Sequence, residues 1–257
     1  GEMAEDTFTY AVSEGNGGTD IADVMVTVEG VNDTPEAVDD LFAGDEIAGT
    51  EFLVNTETAG SQERSSIATL AGGGYVIVWE NEDDQEDQSG TSVKARIYDA
   101  NGTATSAEFL VNSITESSQY NPNVTALAGG GFVVVWYSND GQDDPSDYGI
   151  KARIFDADGN ASGDEFLVNS VTLDTQHLPA ITGLADGGFV VAWMSYDGQD
   201  DPSDDGIKAR IFAADGTAAG EEFLVNSITD NSQYRPTITA LAGGGFVVTW
   251  QSDDGQD

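Results

Sequence analysis

The pentapeptide Glu-Phe-Leu-Val-Asn stands at residues 51–55, 108–112, 165–169 and 222–226, each copy 57 residues after the last. Trp79, Trp136, Trp193 and Trp250, the four tryptophans of the chain, keep the same step. A fixed period of this length marks a repeat architecture, in which one supersecondary unit buries its apolar faces against its neighbours. It also bears on function. A unit copied with its spacing intact reads more readily as a building block than as a catalytic centre.

Four strands are expected in each unit. The first covers 123–127, matched by 181–184 and 238–241. A tight turn follows, Ala128-Gly129-Gly130-Gly131 in one copy and Ala185-Asp186-Gly187-Gly188 in the next. Glycine there supplies the positive φ of a hairpin, and no helix follows that would make the turn a phosphate loop. The second strand, Phe132-Val133-Val134-Val135-Trp136, is apolar on both faces and so should be covered on both. The third, 150–155, alternates, and the fourth is 166–169. No stretch shows helical periodicity over a useful length.

Four short antiparallel strands per unit describe a propeller blade. A β-solenoid, a linear string of small sheets and a pair of packed sheets are the alternatives. A string is disfavoured because a lone four-stranded sheet has no core, whereas stacking gains roughly 1.5–3 kcal/mol per large side chain buried. The expected fold is therefore all-β: four-stranded antiparallel blade-like repeats of 57 residues, a β-propeller or part of one. The units are 51–107, 108–164, 165–221 and an incomplete 222–257. Residues 37–50 are a linker or a closing strand, since Asp40-Leu41-Phe42 echoes Arg153-Ile154-Phe155 ahead of the pentapeptide. A ring closed by that strand is conceivable. A run of blades within a longer array is preferred, because both ends of the chain fall inside recognisable units.

Residues 1–36 differ. Asp6 to Val12 alternates as a strand, Glu14-Gly15-Asn16-Gly17-Gly18 is a turn, and Ile21 to Val31 is a second strand. Two strands do not make a stable domain alone, so they read as the C-terminal strands of a β-sandwich. Asp6-Thr7-Phe8-Thr9-Tyr10, the Gly-Asn-Gly-Gly turn and Val28-Glu29-Gly30-Val31-Asn32-Asp33-Thr34-Pro35 resemble the last strands of cadherin-like and VCBS-type sandwich repeats. That resemblance implies a Ca²⁺-ligand role for Asn32 and Asp33. The plain reading is that Asn-Asp-Thr-Pro ends a strand.

The charge is extreme, with 47 acidic against 8 basic residues and a net −39. Such a chain repels nucleic acid and anionic lipid, which need clustered Lys and Arg, and attracts cations. There is no cysteine for a disulfide or thiolate site, and no apolar run long enough to insert in a membrane. The most suggestive feature is the loop between second and third strands. One copy reads Asn139-Asp140-Gly141-Gln142-Asp143-Asp144-Pro145-Ser146-Asp147, the next Tyr196-Asp197-Gly198-Gln199-Asp200-Asp201-Pro202-Ser203-Asp204-Asp205. Ca²⁺ takes six to eight oxygens, and Asp140, Asp143, Asp144, Asp147, Asp197, Asp200, Asp201 and Asp204 could supply them with loop carbonyls. A solvated acidic loop and a basic partner are the alternatives. Asp156-Ala157-Asp158-Gly159-Asn160 reads instead as a turn, since only its Asn/Asp-Gly pair persists among the copies.

Six of the basic residues form one motif, Lys94/Arg96, Lys151/Arg153 and Lys208/Arg210. Pairing with carboxylates is favoured there over an anion- or polysaccharide-binding stripe. The recurring Gln62, Gln119, Gln176 and Gln233, with the pentapeptide asparagines, are expected to hydrogen-bond backbone between units. His177 is the sole histidine, and no acid/base pair stands out among so many carboxylates. The expectation is no enzyme.

The Gly-Gly-Phe-Val-Val-x-Trp core at 130–136, 187–193 and 244–250, with the Ala-Arg-x-Phe-Asp-Ala-Asp-Gly turn at 152–159, resembles the acidic repeats of large secreted RTX/adhesin-like bacterial surface proteins. The resemblance implies a structural and adhesive module, extracellular or at the cell surface, stabilised by calcium on its acidic loops. Partners would be calcium, matrix or cell-surface polysaccharide, or further copies of itself. The alternatives are a carbohydrate-binding propeller with Tyr148, Tyr196 or other loop aromatics stacking on sugar, and an accessory region of a secreted polysaccharide-degrading enzyme.

Overall fold

In the computed structural model the chain divides into two units, Gly1–Phe52 and Leu53–Asp257. The structure describes residues 3–14, 18–29, 51–82, 90–141, 144, 148–198, 205–229 and 231–253. In the first unit β1 (Met3–Glu14) and β2 (Gly18–Glu29) form an antiparallel hairpin, with Met3 opposite Glu29 and Glu14 opposite Gly18. Both expected strands are present. Asn32 and Asp33 lie outside the described residues.

The second unit is a succession of antiparallel meanders. The first sheet is β3 (Gln62–Thr69), β4 (Tyr75–Asn81), β5 (Ser92–Tyr98) and β6 (Phe109–Leu110). The second is β7 (Gln119–Ala126), β8 (Phe132–Ser138), β9 (Gly149–Phe155) and β10 (Phe166–Leu167). The third is β11 (Gln176–Gly183), β12 (Phe189–Ser195), β13 (Gly206–Phe212) and β14 (Phe223–Leu224). Of the fourth, β15 (Gln233–Ala240) and β16 (Phe246–Ser252) are described. The first strands β3, β7, β11 and β15 pack one on the next, and both of their ends converge on shared axial openings. This is the inner ring of a β-propeller, and the expected four-stranded blade is the observed unit. The first strand begins four residues earlier than the sequence suggests, at Gln119 rather than Asn123, and that extra length proves to matter.

The apolar second strand is buried from both sides because blades stack face to face. Phe132, Val134 and Trp136 of β8 join a core with Val76, Val78 and Ile97 of the first blade. Val133 and Val135 face the other way, into a core with Phe189, Val191 and Trp193 of the third. One short strand thus carries two cores, which is why its sequence lacks alternation. The hairpin after the first strand is held against the end of the third. A Cβ at Gly131 or Gly188 would stand 2.2 or 2.4 Å from the carbonyl oxygen of Phe155 or Phe212, so no other residue fits there.

Polar frame residues sew the blades together. The Arg153 Nη1 donates to the Val111 carbonyl of the preceding blade at 2.8 Å, and Arg210 Nη1 does the same to Val168 at 3.0 Å. Each guanidinium lies 5.6 Å over the ring of Phe155 or Phe212. Asn169 Oδ1 accepts from the Ile150 amide within its blade, while its Nδ2 donates to Gln176 Oε1 of the next. Glu222 Oε2 accepts from the Ser170 and Val171 amides at the linker into β11. The basic motif, the repeated amides and the pentapeptide glutamate are therefore structural. Among the described residues no helix is long and apolar enough to cross a membrane.

Candidate functional site

The two ends of the axis differ in kind. At the hairpin end the opening is bordered by Ala71, Ala128, Ala185 and Ala242, one residue repeated four times. At the opposite end, where the first strands begin, the copies disagree. Glu63, Tyr120, His177 and Tyr234 occupy one position of the period, and Arg64, Asn121, Leu178 and Arg235 the next. Across from the first of these on the second strand stand Glu80, Tyr137, Met194 and Gln251. The lining of the hairpin end varies elsewhere only among small or aliphatic uncharged residues, such as Thr69, Ala126, Gly183 and Ala240, whereas at this mouth charged, aromatic and aliphatic side chains replace one another.

The backbone there is special as well. Each first strand breaks register with a bulge immediately after the first of these positions. Arg64, Asn121, Leu178 and Arg235 adopt φ of 50°, 55°, 52° and 54°, a left-handed conformation that a branched or long side chain seldom takes. Backbone strain of this kind gathers where a structure aims side chains at a ligand. All four line one cavity of about 510 Å³ on the axis, with Asn123 and Tyr137.

Arg64 Nη1 donates to both oxygens of Glu80, at 3.0 and 3.1 Å. Glu80 is buried and also accepts from the Asn121 amide of the next blade. The hydrogen bonds to Glu80, and then its charge, hold the Arg64 guanidinium above its ordinary pKa. Beside this pair lies an aromatic cluster. Tyr120 and Tyr137 are 5.3 Å apart, Tyr137 and Tyr148 meet edge to face at 5.5 Å, and His177 stacks on Tyr196 at 5.1 Å. Tyr137, Tyr148, Asp174, Thr175, His177 and Tyr196 enclose a cavity of about 380 Å³. Burial pushes the Tyr137 phenol up and the His177 imidazole down, so both are neutral hydrogen-bonding groups near pH 7. A pocket of rings with neutral donors and an ion pair at its edge is suited to a polar ligand with flat apolar faces.

The acidic loops start on this same end. Asp140, almost fully buried, lies 3.4 Å from the Lys151 Nζ and accepts from Ser138 Oγ at 2.8 Å. Asp197 repeats this with Lys208 at 2.6 Å and Ser195 at 2.8 Å. Asp144 Oδ2 accepts from Asn169 Nδ2 at 2.9 Å. Asp140 and Asp197, both named as candidate calcium ligands, thus each face a buried lysine. Asp143, Asp147, Asp200, Asp201 and Asp204 lie outside the described residues. No cluster of three or more acidic or histidine side chains able to hold a metal occurs among the described ones. Asp156 caps its own turn, accepting from the amides of Asp158 and Asn160.

Arg64, Arg235, Glu80 and Tyr137 escaped the sequence reading. A signal for the first two was present. They are the basic residues left over once the six of the frame motif are set aside, and both fall at one position of the period.

No family model matches the sequence, and no curated protein is similar to it. Solved structures are. An endo-arabinase from Bacteroides thetaiotaomicron superposes with a TM-score of 0.50 at 15% identity, over 80% of this chain and 76% of that one. A protein of unknown function from Dyadobacter fermentans gives 0.54 at 11%, over 76% and 63%. The α-L-arabinanase of Penicillium chrysogenum, complexed with arabinobiose, gives 0.50 at 14%, over 72% and 58%. This chain spans less than two thirds of the latter two. At such identities what is shared is the fold. It nevertheless corrects one expectation: the chain cannot be set down as no enzyme, because the propeller it forms is one on which glycan-cleaving enzymes are built. Repeated frame residues say nothing against catalysis when the residues at the mouth are free to differ.

Proposed function

We propose that this chain is the carbohydrate-recognising propeller of a secreted polysaccharide-processing protein, with its site at the divergent end of the axis. The observation that carries this is the cluster of Tyr120, Tyr137, Tyr148, His177 and Tyr196 at the end of the axis where aromatic and charged residues replace one another among the copies. Sugars present C–H faces that stack on aromatic rings and hydroxyls that pair with neutral donors and acceptors, and this cleft offers both. The likeness to an endo-arabinase and an arabinobiose-bound arabinanase supports the same reading.

The test is a glycan array and a polysaccharide pull-down, read together with release of reducing ends from the bound polymers, arabinan among them. Retention of the wild type on at least one glycan is expected. Tyr148→Ala with Tyr196→Ala should weaken it about tenfold or more, since each ring contributes roughly 0.5–1.5 kcal/mol beyond its area. Release of reducing ends would make the face a cleavage site and not a binding site alone. A wild type that neither binds nor cuts any glycan would sink the proposal.

A further inference from the structure

Six of the eight basic side chains belong to the frame, and the remaining two, Arg64 and Arg235, both line the axial cavity. The same bulge, in the same left-handed conformation, delivers each. Evenly scattered cations would not place both on one cavity in a chain of net charge −39. Arg235 is exposed and makes no salt bridge or hydrogen bond among the described residues. Arg64 spends Nη1 on Glu80, and its side chain is still half exposed, so Nε and Nη2 meet no acceptor among the described residues. Asn121 and Asn123 add amides to the same cavity.

From this geometry we infer that the axial cavity recognises the carboxylate of an acidic sugar, with Arg235 as its direct ligand and Arg64, oriented by Glu80, lining the same cavity. The inference rests on the glycan-binding reading above and names the class of glycan. A guanidinium meets a carboxylate with two parallel charge-assisted hydrogen bonds, and the planar fork selects that shape over a hydroxyl. The acidity of the rest of the chain does not forbid it. At about 0.15 M salt the Debye length is about 8 Å, so loop carboxylates farther than that from the axis are largely screened, while a contact pair in the cavity is not. The aromatic cleft shares Tyr137 with this cavity, which lets one saccharide chain stack in the first and place its carboxylate in the second.

Calorimetry with oligogalacturonate, oligomannuronate and sialyllactose, each paired with its carboxyl-reduced counterpart, tests this on the whole chain. At least one acid form should bind about tenfold or more tightly than its reduced partner. Arg235→Gln should bring the acid down to the level of the reduced form, and Arg235→Lys should restore part of the difference. Arg235 is exposed, so both variants are expected to melt as the wild type does, and this is checked first. Equal binding of acid and reduced forms, or an Arg235→Gln variant that binds the acid undiminished, overturns the inference. If neutral glycans bind through Tyr148 and Tyr196 all the same, the broader reading survives that failure. Binding of no glycan at all sinks both. Displacement of the oligosaccharide by an equal concentration of acetate would show a site for bare carboxylate and overturn the sugar assignment.

Discussion

Lys208 is buried between Asp197, at 2.6 Å, and Glu222, at 3.3 Å. A buried ammonium is tolerated only with its counter-charges in place, and removing one costs more than the pair contributes. Asp197→Asn should lower stability by about 2–3 kcal/mol, less than a wholly unpaired charge would cost because Glu222 remains. Urea unfolding should give the same loss in EDTA as in calcium; a loss seen in calcium alone would identify Asp197 as a metal ligand instead. His177 behaves oppositely to a paired histidine. Burial lowers its folded pKa below the ordinary 6.5, so the unfolded chain takes up its proton first. The stability this confers is whole above about pH 6.5 and drains away as pH falls through the folded value. Unfolding of His177→Tyr, the residue two sister blades carry there, should be less steep in pH between about 7 and 5 than that of the wild type. Parallel pH profiles would refute it.

At the scale of the element, the second strand explains most of the stability and the first strand most of the individuality. Trp193 on β12 is fully buried, whereas Trp250 at the same place on β16 is 36% exposed, although Phe246 and Val248 on the same face of that strand pack on the third blade. Trp193→Ala should therefore cost about 3–5 kcal/mol and Trp250→Ala clearly less, measured by urea midpoint. Equal losses would mean that the Trp250 ring is as well covered in solution as that of Trp193. The first strand was legible only in part. Its apolar portion, 123–127, has a pattern, but Gln119 to Pro122 has none, because a bulge with a left-handed residue breaks the two-residue alternation on which strand reading depends. The site begins in that unreadable stretch.

For the molecule as a whole, the blade, its tight turns and the structural place of the Lys/Arg motif could be read from the chain, since each follows from local pattern multiplied by repetition. The mouth could not. Arg64 and Arg235 are 171 residues apart and line one cavity only because the blades are set around an axis. Tyr148 and Tyr196 were noted as loop aromatics, but their meeting with Tyr137 and His177 depends on how the second and third blades stack. Comparison of copies suggested that what is constant is geometric. That the aromatic and charged variable positions gather at one mouth depends instead on how the blades are set around the axis.

The sequence alone determined the period, the all-β class and the double burial of the second strand, because these are properties of short-range pattern and of apolar surface that must be covered. Only the tertiary structure decided which carboxylates are counter-ions of buried lysines and which end of the axis is diverse. It also brought two leftover arginines and a group of rings together there. Those outcomes depend on distances between residues far apart in the chain, and no local pattern encodes such distances.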